Sequence, residues 1–244
     1  MDFQVINEET IMIYFEDEID PKTYDKVQLL VNYIHKQQHE AIVETVASYR
    51  AVMLIIDMTV STPQAVLESL DISETQLENM AEEKASKRVI HLPVLYGDEY
   101  GPDIEAVAEH NQLSTDEVIR LHTANQYLIY MLGFMPGFPF LGGLDERLHT
   151  PRRSEPRTKL EAGSVGIANN QTGLYPSASP GGWQIIGRTP VKVLNMDQDP
   201  MVMYQPGDYI KFYEIDKETY DEIVSAQENG EQVMEKWVKV SHEH

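Results

Sequence analysis

The sequence predicts an α+β protein. A two-layer α/β domain is expected over residues 1–88, a domain of short strands over 89–215, and a helix with a tail over 216–244. Up to residue 88, strand-like runs alternate with amphipathic helical ones. From Tyr127 onward, short β-prone runs follow one another between Gly/Pro turns, as in a barrel or sandwich. Ten of the fourteen glycines lie between Gly133 and Gly187, and five of the eight arginines between Arg147 and Arg188, so one stretch combines turning backbone with fixed cations.

Taken in order, Gln4–Ile6 and Thr10–Phe15 are β-prone runs split by the polar turn Asn7-Glu8-Glu9. Asp20-Pro21 starts a helix, because Asp caps free N–H groups and Pro suits the first helical position. Tyr24, Val27, Val31 and Ile34 then recur at helical spacing. Ala41–Ala47 and Ala51–Asp57 read as adjacent strands. Thr62-Pro63 starts a second helix with Val66, Leu67 and Leu70 on one side, and Ser73 restarts it toward Lys87, with Glu82-Glu83-Lys84 as a solvated face. Arg88–Tyr96 is a strand. Asp103–His110 and Ser114–Thr123 are short helices, the second opened by a Ser114/Glu117 capping box. Gln184–Ile186, Val191–Asn195, Met201–Tyr204 and Tyr209–Tyr213 are the clearest later strands, with Gln205-Pro-Gly-Asp208 as a turn. A helix over Lys217–Gln227 ends at Asn229-Gly230, and a short tail follows.

Forty acidic against nineteen basic residues give a net charge of −21, which argues against nucleic acid and anionic membrane as partners. With no cysteine, disulfides, thiolate zinc sites and a cysteine nucleophile are excluded. The opening M-D-F-Q-V-I-N-E-E-T lacks basic and apolar leader regions, so a cytoplasmic protein is expected. Tyr127–Leu144 is uncharged, but Pro136, Pro139 and four glycines interrupt it, against a membrane span. Neither a G-x-x-x-x-G-K-[ST] phosphate loop nor a G-x-S-x-G nucleophile turn occurs, and the eight histidines show no ligand spacing, so no metal site is expected.

The chemistry concentrates in the loops. Arg152, Arg153 and Arg157 stand in T-P-R-R-S-E-P-R, and Arg188 lies beside Gly187 and Pro190. Surface ion pairing, worth under about 1 kcal/mol, is the plain alternative for each. Four of them on Gly/Pro loops point to an anion site instead. Gln171 and Tyr175 can add neutral hydrogen-bonding groups, although Asn169-Asn170 and Gly173 also suit a simple hairpin. Phe134, Phe138, Phe140 and Trp183 are candidate pocket walls whose other role is core packing. Pro136 and Gly137 in the first loop, with Gly181 and Gly182 in the last, complete the candidate substrate-binding set. His122 is the candidate proton carrier, with a solvent-facing or helix-capping role as the alternative.

These blocks resemble the KipI / allophanate hydrolase subunit 1 family, whose bacterial members include the B subunit of 5-oxoprolinase. The similarity is carried by G-F-M-P-G-F-P-F-L-G-G-L, T-P-R-R, P-R, A-G-S-V-G-I-A, Q-T-G-L-Y-P, S-P-G-G-W and G-R-T-P between Gly133 and Pro190. Y-G-D-E-Y-G-P-D, V-I-R-L-H and Q-P-G-D add to it. Asn7-Glu8-Glu9, Glu161 and Asn170 depart from the family pattern. The resemblance implies an α/β domain followed by a cyclophilin-like β-barrel. It also implies a non-autonomous subunit of an ATP-dependent 5-oxoprolinase, a hydrolase opening 5-oxo-L-proline to L-glutamate. Its implied partners are a companion cyclophilin-like subunit of the KipA type, which is the C subunit of 5-oxoprolinase, and the large A subunit. ATP is then used by the complex and not clearly bound by this chain. Other family branches imply inhibition of a sporulation-type sensor histidine kinase, or handling of urea or allophanate.

Overall fold

Both early helix starts are realised in the computed structural model, which describes residues 1–16, 20–73, 77, 87–231, 233, 234 and 236–243 in two units, Met1–Ala85 and Ser86–His244. In the first unit, Asp20 accepts the N–H groups of Lys22 and Thr23, opening α1 (Pro21–Gln37). Thr62 accepts that of Ala65, opening α2 (Pro63–Leu70). Strands β1 (Asp2–Asn7), β2 (Thr10–Tyr14), β3 (Ile42–Ala47) and β4 (Ala51–Ile56) form an antiparallel sheet of order β1-β2-β4-β3. The buried face of α1 is Tyr24, Val27, Leu30 and Ile34. Leu30 takes the place expected for Val31, which is only partly buried. Val27, Leu30 and Ile34 pack with Ile11, Ile13, Val52, Leu54, Val66 and Leu70 in one core cluster. The helix expected from Ser73 toward Lys87, with its Glu82-Glu83-Lys84 face, falls outside the described residues apart from its ends and residue 77.

The second unit begins with β5 (Lys87–Tyr96), followed by α3 (Ile104–Asn111) and α4 (Thr115–Ala124). The capping box forms: Glu117 N–H donates to Ser114 Oγ, and Ser114 N–H donates to the Glu117 carboxylate. Then come β6 (Tyr127–Leu132), β7 (Pro139–Gly142), β8 (Arg157–Leu160), β9 (Ser164–Ala168), β10 (Gln171–Leu174), β11 (Ser179–Gly181), β12 (Gln184–Arg188), β13 (Tyr209–Glu214), α5 (Lys217–Glu228) and β14 (Lys239–Glu243). Seven strands close on themselves in the order β12-β9-β10-β7-β6-β13-β5, and β5 returns to β12 through Leu95 and Tyr96. The predicted α+β class with a closed β-barrel is therefore what forms. β14 pairs with β5 along Lys87–His91, while β8 and β11 make a separate two-stranded ribbon. The uncharged run from Tyr127 is the β6–β7 hairpin, and no helix among the described residues is long and apolar enough to cross a membrane.

Alternation along the strands divides the barrel wall into two faces. Leu141, Val165, Ile167, Leu174 and Ile186 join the main core. Their neighbours Phe140, Ala168, Tyr175 and Ile185 belong to a second, smaller cluster around Phe138, Leu160 and Trp183, on the opposite face of the same strands. Gly173 lets Trp183 lie against that wall: a Cβ there would sit 2.7 Å from the indole Cζ3.

Two expectations need correction. Val191–Asn195 and Met201–Tyr204 are not strands but meet through the single bridge Leu194–Val202. Gln227 of α5 accepts from Lys192 N–H and donates to Pro190 C=O, so a helix side chain satisfies backbone that a ladder would otherwise take. Where only a short tail was expected beyond α5, Lys239–Glu243 form β14 and add to the barrel sheet.

Closure also depends on the Gly97–Asp103 loop, which continues β5 alongside β12. Gly97 N–H donates to Ile186 C=O at 3.1 Å, and Asp103 N–H to Ile185 C=O at 2.8 Å. A Cβ on Gly101 would lie 2.0 Å from the Ile186 carbonyl oxygen, a backbone atom that cannot turn away. Gly101→Ala is expected to destabilise the chain by about 3 kcal/mol or more, read as a lower urea midpoint at unchanged slope. A wild-type midpoint would refute this account of the seam.

Candidate functional site

The second cluster gathers most of the residues singled out in the sequence. Phe138, 2% exposed, is its hub. Its ring makes edge-on contacts with Phe134 (5.7 Å between centroids), Phe140 (5.1 Å), Tyr175 (5.2 Å) and Trp183 (5.7 Å). The β6–β7 loop holds it there. Met135 N–H donates to Gly133 C=O and Phe138 N–H to Met135 C=O, while Tyr204 Oη–H donates to Gly137 C=O at 2.7 Å. Phe134 is held at φ +66° and is 72% exposed. That is an uncommon backbone for an aromatic residue, and the rest of the turn fixes it. Leu132 to Gly137, Pro136 included, line a recess of about 350 Å³. A larger recess, about 540 Å³, lies in the first unit; among the described residues Glu8 is its one ionisable lining group, and none of them offers a cation to an anion.

Gly181 and Gly182 lead into Trp183, and Gly181 leaves room for Leu160 and the Tyr175 hydroxyl. Arg152 stands 5.9 Å from the Trp183 ring, a cation over an aromatic face. Burial pushes the Tyr175 hydroxyl up to about 12, with Arg152 pulling the other way. Gln171 shares the outward face of β10 with Gly173 and Tyr175 by strand alternation. The aromatic floor is nearly closed, with Trp183 5% and Tyr175 2% exposed. Arg152 itself is exposed.

The other arginines are placed differently. Arg157 gives Nη1 and Nη2 to the two carboxylate oxygens of Asp103 at 2.7 and 2.8 Å, and Arg153 Nη1 donates to the same carboxylate at 2.7 Å. Asp103 is 3% exposed and also accepts Ile185 N–H at 2.7 Å. Arg157, expected to meet substrate, thus spends its fork on a buried carboxylate of its own chain. Arg188 lies at the far end of β12 from Trp183, roughly 16 Å along the strand. It stands 5.4 Å from the Tyr100 ring, and its Nε is buried without a partner among the described residues. It does not join the Arg152 group. Asp103 escaped the sequence reading as a site residue. The one signal for it was Y-G-D-E-Y-G-P-D, together with the need of clustered arginines for a counter-charge.

His122, the candidate proton carrier, is sealed in the barrel at 0% exposure. Thr172 Oγ1–H donates to Gly166 C=O at 3.1 Å, so it accepts from His122 Nε2–H at 2.8 Å. Nδ1 therefore accepts from the Tyr96 hydroxyl at 2.8 Å. The ring stacks on Phe212 at 5.0 Å. Desolvation depresses its pKa to about 3, so it is a neutral structural group at pH 7 and not a proton carrier.

Residues 1–204 match the family described as carboxyltransferase domain, subdomain C and D, and the chain belongs to that family. It is 40% identical over 223 residues to the B subunit of 5-oxoprolinase from Bacillus subtilis, covering 88% of this chain and 93% of that protein. The kinship read from the motif blocks is thereby borne out. A conserved uncharacterized protein from Pyrococcus horikoshii is 42% identical with a TM-score of 0.53, covering 90% of this chain and all of that one (100%). Kluyveromyces lactis urea carboxylase gives a TM-score of 0.76 over 98% of this chain and 24% of its own, at 20% identity, a likeness of fold alone.

The sealed imidazole has a consequence in acid. Between pH 6.5 and about 3 the unfolded chain binds a proton at residue 122 that the folded chain refuses. Its contribution is complete above pH 6.5 and is lost as pH falls, by up to about 1.4 kcal/mol per unit. His122→Gln should flatten the pH dependence of urea stability between pH 6.5 and 4 relative to wild type. Parallel profiles would show that the imidazole is not held neutral.

Proposed function

We propose that this chain is a subunit of an ATP-dependent 5-oxoprolinase and that its barrel face binds the carboxylate of 5-oxo-L-proline. The observation that carries the reading is the match to the B subunit of 5-oxoprolinase along 93% of that protein's length. The arrangement around Arg152 supports it. A guanidinium held by an aromatic face keeps its N–H donors for a ligand, and among the described residues no carboxylate pairs with Arg152.

Opening a lactam adds water across an unactivated C–N bond, so phosphorylation of the carbonyl oxygen must first make the carbon electrophilic. The ring nitrogen then leaves as the amine, and a second water frees phosphate from the acyl phosphate that remains. ATP supplies the phosphoryl group. The sequence carries no phosphate-loop motif, and the reading assigns the nucleotide to the companion subunits. In this scheme Arg152 receives the carboxylate in a bidentate contact. The exposed Phe134 ring lies against the apolar carbons of the five-membered ring, and the buried Trp183 and Tyr175 back the site. Companion barrel and large subunits complete the enzyme.

The test is reconstitution with the companion subunits, measuring glutamate formed from 5-oxoproline with and without ATP. Activity is expected only in the complete mixture. Arg152→Ala should raise KM by roughly ten- to a hundredfold, the loss of a charge-assisted bond worth about 1.5–3 kcal/mol. An inert complete mixture would reject the reading, and a wild-type KM in the variant would reject the role of Arg152.

A further inference from the structure

Arg152 lies between two residues whose backbones are tied to the Trp183 segment. Pro151 C=O accepts from Gln184 Nε2 at 3.0 Å, and Arg153 N–H donates to Gly182 C=O at 2.8 Å. Each tie is a single neutral hydrogen bond, and the β8–β11 ribbon adds the Gly181–Arg157 pair between the same two segments. The Asp103 carboxylate adds the charged link between the two segments. Its oxygens take Arg153 Nη1 and both Arg157 Nη groups from the arginine loop, and Ile185 N–H from the residue two beyond Trp183. One buried anion thus bonds the strap on one side and the indole-bearing strand on the other.

We propose that Asp103 is a positioning residue, which sets Arg152 over Trp183 and so fixes the anion affinity of the site without touching the ligand. Removing its charge leaves two guanidinium groups without a counter-ion, at 34% and 26% side-chain exposure, free to turn to water. The strap then loses its charged anchor and keeps only its neutral ties. The barrel persists in Asp103→Asn, because the amide oxygen can still accept the Ile185 N–H, the Asp103 backbone bond to Ile185 remains, and the main core is a separate cluster on the other face of the wall. The effect on 5-oxoproline rests on the function proposed above, whereas the placement of Arg152 does not.

The chain has two tryptophans, so Trp237→Phe leaves Trp183 as the sole indole reporter. In that background, quenching by iodide is compared with quenching by neutral acrylamide. The cation beside the indole concentrates iodide, so the ratio is high, falls with added salt, and is lost in Arg152→Gln. Asp103→Asn is expected to lose it equally although Arg152 is intact, and Arg153→Gln to lose part of it. Should Asp103→Asn fail to fold, Arg153→Gln decides the matter. A wild-type ratio in the folded Asp103→Asn chain, or in Arg153→Gln where that chain decides, overturns the proposal. In calorimetric titration of the assembled complex, 5-oxo-L-proline should bind about tenfold or more weakly to Asp103→Asn. A wild-type complex that binds no 5-oxoproline would sink the functional reading, and the quenching result would still judge the positioning role.

Discussion

The barrel closes at one short seam, and the site hangs from the same seam. β5 and β12 pair through only Leu95–Arg188 and Tyr96–Gly187. Two register pairs are a thin join for a seven-strand ring. The loop after β5 lengthens it: Gly97 and Asp103 bond to Ile186 and Ile185, and the Asp103 carboxylate takes the Ile185 N–H in return. Burying that carboxylate would be costly if it stood alone, and the two arginines offset the cost. The group that finishes the ring therefore also recruits the arginine strap to the outer wall.

The two faces of the wall serve different ends. Inward, Thr172 and Leu174 meet the core, and Thr172 completes the Tyr96–His122–Thr172–Gly166 chain of hydrogen bonds. Outward, Gly173 and Tyr175 meet Trp183 and Phe138. A single strand with period two thus separates a neutral, fully bonded interior from an aromatic exterior beside a cation. The interior is full, which is why the proposed ligand site lies on the outer face.

Much of this was legible in the chain. Helix starts at Asp20, Thr62 and Ser114 are local signals, since cap and capped N–H groups lie within three residues. The aromatic group was legible because Phe134, Phe138 and Trp183 stand on Gly/Pro loops near other pocket-type residues. What escaped depends on contacts distant in sequence. Gln227 replaces a strand partner for residues 37 and 35 positions earlier. Asp103 meets Arg157 across 54 residues, and the Y-G-D-E-Y-G-P-D block does not by itself single it out from Asp98 and Glu99. His122 read as a surface or catalytic imidazole because the pattern of α4 alone does not show that Phe212 and Tyr127 enclose it.

Charge balance explains why Arg152 stands out from its neighbours. In a chain of net charge −21, carboxylates are abundant, and the cations on either side of Arg152 in the sequence find one. Arg147 takes Asp145, Arg153 and Arg157 share Asp103, and Lys159 takes Glu161. A guanidinium so paired has its planar fork filled by the same kind of group a carboxylate ligand would bring, and the ligand must displace it. Arg152 is held by the face of Trp183 instead. That contact uses the charge and the flat surface of the guanidinium but none of its N–H donors. Ion pairs inside the strap give it rigidity, and the aromatic contact at its tip keeps one cation in place while leaving it chemically unspent.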